Sequence, residues 1–184
     1  CASAAVAERE LFAVVVNRAT ATLPDFSPQG LSILAWSLAT QGVEASNLFL
    51  DVAGLALTKL KAFAPQGLSN LAWAFAKVAA HDLKLIRALA YEAVERKPGT
   101  LCSQVLSNLL WALAVLRVSD HMLVRGLARR SSRILRSFAP QELSSFAGAL
   151  AKLAADDPSV YRSVAKVAVE KRRDLGPQCI SNLA

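Results

Sequence analysis

The sequence predicts an all-α protein, an α-solenoid (α-α superhelix) of about five two-helix repeats of 37–38 residues. Three observations carry that expectation. FAPQGLSNLAWAFA, from Phe63 to Ala76, is rewritten as FSPQGLSILAWSLA from Phe26, LCSQVLSNLLWALA from Leu101, FAPQELSSFAGALA from Phe138 and LGPQCISNLA from Leu175. Gln29, Gln66, Gln104, Gln141 and Gln178 mark the copies at separations of 37, 38, 37 and 37 residues, a period with room for two helices per unit. Apolar residues recur at helical spacing throughout, and no strand pattern competes. Residues 1–184 therefore read as one array: a partial repeat over 1–25, full repeats over 26–62, 63–100, 101–137 and 138–174, and the start of another over 175–184. The chain begins with Cys1 and stops at Ala184 inside a motif, so a segment of a longer or processed protein is expected.

Taken in order, Ala4–Ala19 has the spacing of a second helix whose first partner is missing. A turn over Leu23–Ser27 follows. Proline then opens the first helix (A) of a unit at Pro28, Pro65, Pro140 and Pro177, with Ser103 in the third copy; the first helical position needs no N–H. The A helices should run from Pro28 to Thr40, Pro65 to Ala79, Ser103 to Arg117 and Pro140 to Ala154. Asp82, Asp120 and Asp157 stand where they would cap the second helices (B), with Ser46 in that role in the first full unit. Those helices should cover Asn47–Leu60, Leu83–Lys97, His121–Arg136 and Pro158–Arg173, one of them closed by Lys97-Pro98-Gly99.

At 54% hydrophobic and 19% charged residues the chain is no disordered tail. Membrane spans are not expected either, because Leu71–Ala90 is broken by Lys77, His81, Asp82, Lys84 and Arg87. Cys1, Cys102 and Cys179 are far apart and read as incidental or buried thiols. His81 and His121 have no ligand partner at metal-binding spacing, so neither a metal nor another cofactor is expected. Residues 1–92 hold seven Lys or Arg against seven Asp or Glu, and residues 93–184 hold fourteen against seven. All of the +7 net charge thus lies in the second half, which points to an acidic partner, nucleic acid first.

On a helical wheel of the second unit, Leu68, Leu71, Ala72, Phe75 and Ala79 share the core face, with Gln66, Asn70, Trp73 and Lys77 opposite. Stacked A helices would align Trp36, Trp73 and Trp111 in one column, ending at Gly148. Ile33, Asn70, Asn108, Ser145 and Asn182 would form another, and Thr40, Lys77, Val115 and Lys152 a third. Indoles beside amides suit a single-stranded nucleic acid: rings stack on bases, Asn and Gln bond base edges and Lys meets phosphate. The structural alternative is a Gln–Asn ladder between helices, with Trp filling the gap between repeats. Gln is uniform across all units and Ser32, Ser69, Ser107, Ser144 and Ser181 nearly so in setting, which favours packing roles for both columns. On the B helices, Arg125, Arg129, Arg133 and Arg136 form a stripe with Arg130 beside it, repeated by Arg162, Lys166 and Arg173 with Glu170 interrupting, and Arg87 starts the column of Arg125 and Arg162. Such a strip could neutralise phosphates with little sequence preference, or serve only as a solvated face. No phosphate loop, nucleophile pair or repeated carboxylate pair is present in the sequence, so catalysis is not expected.

The pattern Pro-Gln-x-Leu-Ser-Asn-x-x-Trp-Ala, best at Pro65–Ala76 and Ser103–Ala114, resembles the octotricopeptide repeats and the related repeats of RAP-domain proteins. The resemblance implies an α-solenoid that binds organellar RNA in mitochondria or chloroplasts, as transcript stabiliser, processing factor or ribosome-associated protein. Its RNA face would be the inner helix, at Asn70, Trp73, Lys77 and their equivalents. A Pro-Pro-Pro-Glu-Trp run is missing, Gly148 replaces Trp in the fourth unit, and no RAP domain is present. The expectation is a non-catalytic RNA-holding array. Its rival is a protein-binding scaffold in a large organellar complex, favoured by the zero net charge of residues 1–92.

Overall fold

Helices alternate with short links over residues 2–183, the part of the chain that the structure, a computed structural model, describes. They are α1 (Ala2–Ala21), α2 (Pro28–Gln41), α3 (Ser46–Thr58), α4 (Pro65–Lys77), α5 (Leu83–Glu95), α6 (Ser103–Val115), α7 (His121–Ser132), α8 (Pro140–Lys152), α9 (Pro158–Glu170) and α10 (Pro177–Leu183). Short 3₁₀ turns at Leu23–Asp25, Leu60–Ala62 and Leu135–Ser137 lead into α2, α4 and α8. No strand occurs among the described residues. Helices α2, α4, α6, α8 and α10 pack in sequence as one layer, and α1, α3, α5, α7 and α9 as the other. This is the all-α, two-layer helical solenoid expected from the period.

The first layer packs closely because its contact positions are small. Ser32, Ser69, Ser107 and Ser144 are buried, and each hydroxyl has a backbone acceptor. Ser32, Ser69 and Ser144 donate to the carbonyls of Gln29, Gln66 and Gln141 at 2.9–3.0 Å, whereas Ser107 reaches Glu142 of the next unit at 3.1 Å. A Cβ on Gly67 would stand 3.4 Å from Ser32 Oγ and 3.1 Å from Phe63, so this position holds α4 against α2 only as glycine or with a shift of its neighbours. Between the layers, Phe49 meets Phe75 edge-on at 5.1 Å; Phe138, just ahead of α8, meets Phe146 within it edge-on at 5.4 Å. All four rings are buried, and such pairs add about 0.5–1.5 kcal/mol beyond area burial.

Helix ends differ from expectation where the chain reverses. Three A helices stop two residues early, at Lys77, Val115 and Lys152. The cause is a left-handed residue in the turn, Ala79 (φ 53°), Arg117 (φ 54°) or Ala154 (φ 47°), whereas the first unit uses Gly42 (φ 66°). A non-glycine residue there costs roughly 1–2 kcal/mol. The turn recovers bonds that satisfy the last carbonyls: Ala80 to Phe75, Val118 to Leu113 and Ala155 to Leu150, all at 2.9–3.0 Å. Ala79 consequently leaves the core face and is exposed. The B helices are also shorter than expected, α7 ending at Ser132 ahead of its 3₁₀ turn.

Asp82, Asp120 and Asp157 cap α5, α7 and α9, accepting from the amides of Leu85, Leu123 and Ser159 at 2.9–3.1 Å. Ser46 does not cap α3. It is the first helical residue, and Ala45, which occupies the aspartate's position, has no side chain to offer. Cys102 is exposed and Cys179 buried, while Cys1 lies outside the described residues.

Candidate interaction surfaces

The tryptophan column is a ladder of rings. Trp36 and Trp73 have centroids 6.5 Å apart at 40°, and Trp73 and Trp111 stack at 6.3 Å and 25°. Trp73 and Trp111 are half-buried against the core, and Trp36 is 44% exposed. Helical spacing on consecutive A helices brings the indoles together, so much of their ring area is satisfied within the protein. Among the described residues no amide side chain bonds one of a neighbouring helix as a ladder would, and the one crossing bond to an amide is from the Cys179 thiol to the Gln141 side-chain oxygen at 3.4 Å. Gln66 donates to Asn70 at 3.0 Å and Gln178 to Asn182 at 3.2 Å, each pair four residues apart on one helix. Asn70, Asn108, Ser145 and Asn182 are half-buried, Lys152 is exposed, and Lys77 stands at a cleft between loops.

On the B layer the arginine stripe divides. Arg136 forms a two-pronged ion pair with Glu170 of α9 at 3.1 and 3.3 Å, and Arg129 lies 3.9 Å from Asp157. Position matters here: Tyr91, Arg129 and Lys166 each stand 25 residues after their unit's glutamine. Tyr91 donates its hydroxyl to Asp120 at 2.8 Å, just as Arg129 reaches the next capping aspartate. This column therefore ties one B helix to the start of the next. Arg87, Arg125 and Arg162, each 21 residues after the glutamine, are exposed and form no ion pair among the described residues, nor do Arg133, Lys166 and Arg173. The first full unit has Leu50 at that same position, 65% exposed.

These ties move protons in consistent directions. The Leu123 amide, then the Tyr91 hydroxyl, hold the Asp120 carboxyl below its ordinary value, with Arg87 adding to both. The same bond to Asp120 raises Tyr91. Asp157 is lowered by the Ser159 hydroxyl first, with Arg129 contributing, and Glu170 by Arg136.

A second set of basic residues, which the charge stripe did not single out, clamps the array from within. Lys59 donates to the carbonyls of Phe26 at 2.8 Å and Pro24 at 3.3 Å, and Arg96 to that of Phe63 at 2.6 Å while pairing with Glu92. Arg130, half-buried, donates to the carbonyls of Val94 and Arg96 in the preceding unit. A signal for the first two was present: Lys59 and Arg96 each follow their unit's opening phenylalanine by 33 residues. Arg130 leaves that spacing and had none.

A cleft of about 750 Å³ lies between the loop joining α2 to α3 and the loop joining α4 to α5. Phe49, Phe75, Leu50, Val78 and Leu83 line it, and Lys77, Lys84, Glu44, His81 and Asp82 stand around it. A smaller one, about 160 Å³, lies at the matching place between α7 and the loop ahead of α9.

A family model described as RESC6, RNA-editing substrate-binding complex 6 protein, matches residues 3–121, more than half of the chain. No curated protein matches the sequence. The match corrects the resemblance to octotricopeptide and RAP-domain repeats. The motif behind that resemblance is largely what close stacking requires: Pro opens the helix, Ser packs against its neighbour, and Trp joins the ladder. Residues with such duties do not by themselves separate one helical-repeat family from another.

Proposed function

The chain belongs to the RESC6 family of RNA-editing substrate-binding complex proteins, and on that premise we propose that it is a scaffold subunit of such a complex, holding protein neighbours and carrying no chemistry of its own. The family match is the observation that carries this reading. The neutral first half, with its broad apolar cleft, supports protein contact over RNA along the whole length. Purifying the tagged full chain from its own cells tests the reading: RNA-editing proteins should remain bound after nuclease treatment, and their complete loss would overturn it.

A second reading has its own support. The unpaired column of Arg87, Arg125 and Arg162, with Arg133, Lys166 and Arg173 nearby, suits phosphates of the RNA that such a complex handles. On the A layer, Asn108, Ser145 and Lys152 are the neighbours such a strand would meet beside Trp111. Changing Arg87, Arg125 and Arg162 to Gln should flatten the salt dependence of single-stranded RNA binding by about two in log–log slope, at ~0.7 per phosphate contact. An unchanged slope would remove the column from any RNA path.

A further inference from the structure

We propose that the cleft between the α2–α3 and α4–α5 loops is a docking site for a polypeptide segment of a partner protein, one that inserts a bulky apolar side chain flanked by carboxylates. The proposal rests on the scaffold reading and names the chemistry of one of its contacts. At about 750 Å³ the cleft lies within the roughly 300–1,000 Å³ range of pockets that enclose compact ligands. Its depth is apolar, with Phe49 and Phe75 buried beneath it, and Leu50 and Leu83 stand exposed at its sides. Exposed leucines cupping a concavity are the kind of surface that a protein partner covers.

Leu50 sets this place apart from the rest of the array. It occupies the position of Arg87, Arg125 and Arg162, so the first full unit carries an apolar side chain where the other three carry a cation. The matching small cleft is lined by Arg125 together with His121, Asp156 and Asp157. A nucleic acid strand is poorly served by the larger cleft, because Phe49 and Phe75 face each other edge-on and offer no free ring for a base. Charge selects the flanks of the inserted segment. Lys77, at the end of α4, and Lys84, at the start of α5, have no ion-pair partner among the described residues, while Asp82 between them is held by the Leu85 amide and Glu44 stands on the α2–α3 loop. The two ammonium groups complement carboxylates of the inserted segment where it passes the α4–α5 side of the cleft.

Short synthetic peptides with a central Phe or Leu and Glu flanks, titrated against the full chain by fluorescence anisotropy, test this. They should bind about tenfold or more tighter than the same peptides with Lys flanks or a central Ala. Leu50→Arg should weaken the Glu-flanked peptide about tenfold or more with an unchanged thermal melt, since arginine is the residue of the other units and the position is exposed. The double change Lys77→Glu and Lys84→Glu should transfer preference to the Lys-flanked peptide. Equal binding of the peptides, indifference to Leu50→Arg, or competition by single-stranded RNA at this place would each overturn the proposal. Purification of tagged wild-type and Leu50→Arg chains separates the two levels. Wild type without the complex sinks the scaffold reading; wild type with it, and Leu50→Arg retaining every partner, sinks this inference alone.

Discussion

The two halves of the array share a backbone plan and present opposite surfaces. In the first, formal charge cancels, the tryptophan ladder begins, and a leucine-sided cleft opens between adjacent loops. In the second, positive charge exceeds negative by seven, the ladder ends at Gly148, and the B helices are laced by Arg129–Asp157 and Arg136–Glu170. Even their shared positions diverge, as Leu50 against Arg125 and Arg162 shows. A repeat array can assign separate duties to separate units because each unit's stability depends on its neighbours and not on its outward side chains.

If that is right, the buried pairs should behave alike in both halves. Phe75→Ala and Phe146→Ala remove rings buried to 1% and 0% exposure in edge-on pairs, and each should cost about 3–5 kcal/mol in chemical denaturation. A cost near zero in one half would mean that half is not held by the shared core. Next in size is Arg130→Met, which strips the carbonyls of Val94 and Arg96 of their donor. It should cost about 1–3 kcal/mol, with faster amide exchange where α5 ends.

Acid should act on the second region more than the first. Asp120, Asp157 and Glu170 all have folded-state values below their ordinary ones, so their stabilisation is present above those ordinary values and is lost as pH falls through the folded ones. The melting temperature followed by circular dichroism should therefore drop below about pH 4, and the drop should be shallower in Asp120→Asn. The smallest effect belongs to Arg136→Gln. Its ion pair is exposed, so the loss should be the smallest of the set and fade with salt; a loss as large as that of a buried ring would make lacing, not the core, the difference between the halves.

Several features were legible because they repeat. The glutamine period located the units, Pro28, Pro65 and Pro140 located helix starts, and three aspartates located caps. Expectation failed where a unit departs from its siblings or where a side chain acts across units. Ser46 was set to cap because it is polar, although Ala45 holds that place. Sequence spacing shows Glu170 interrupting the basic stripe but not that it pairs with Arg136, because spacing records a shared face and not which side chains meet across units.

By itself, then, the sequence determined that this chain is a two-layer helical array and that its charge lies in one half, since periodicity and composition are properties of order along the chain. Tertiary structure decided which arginines are free, that the indoles lie against one another, and that the α2–α3 and α4–α5 loops enclose a cleft. Each of those depends on distances between residues of different units, set by how closely small residues such as Gly67 and Ser32 let neighbouring helices approach.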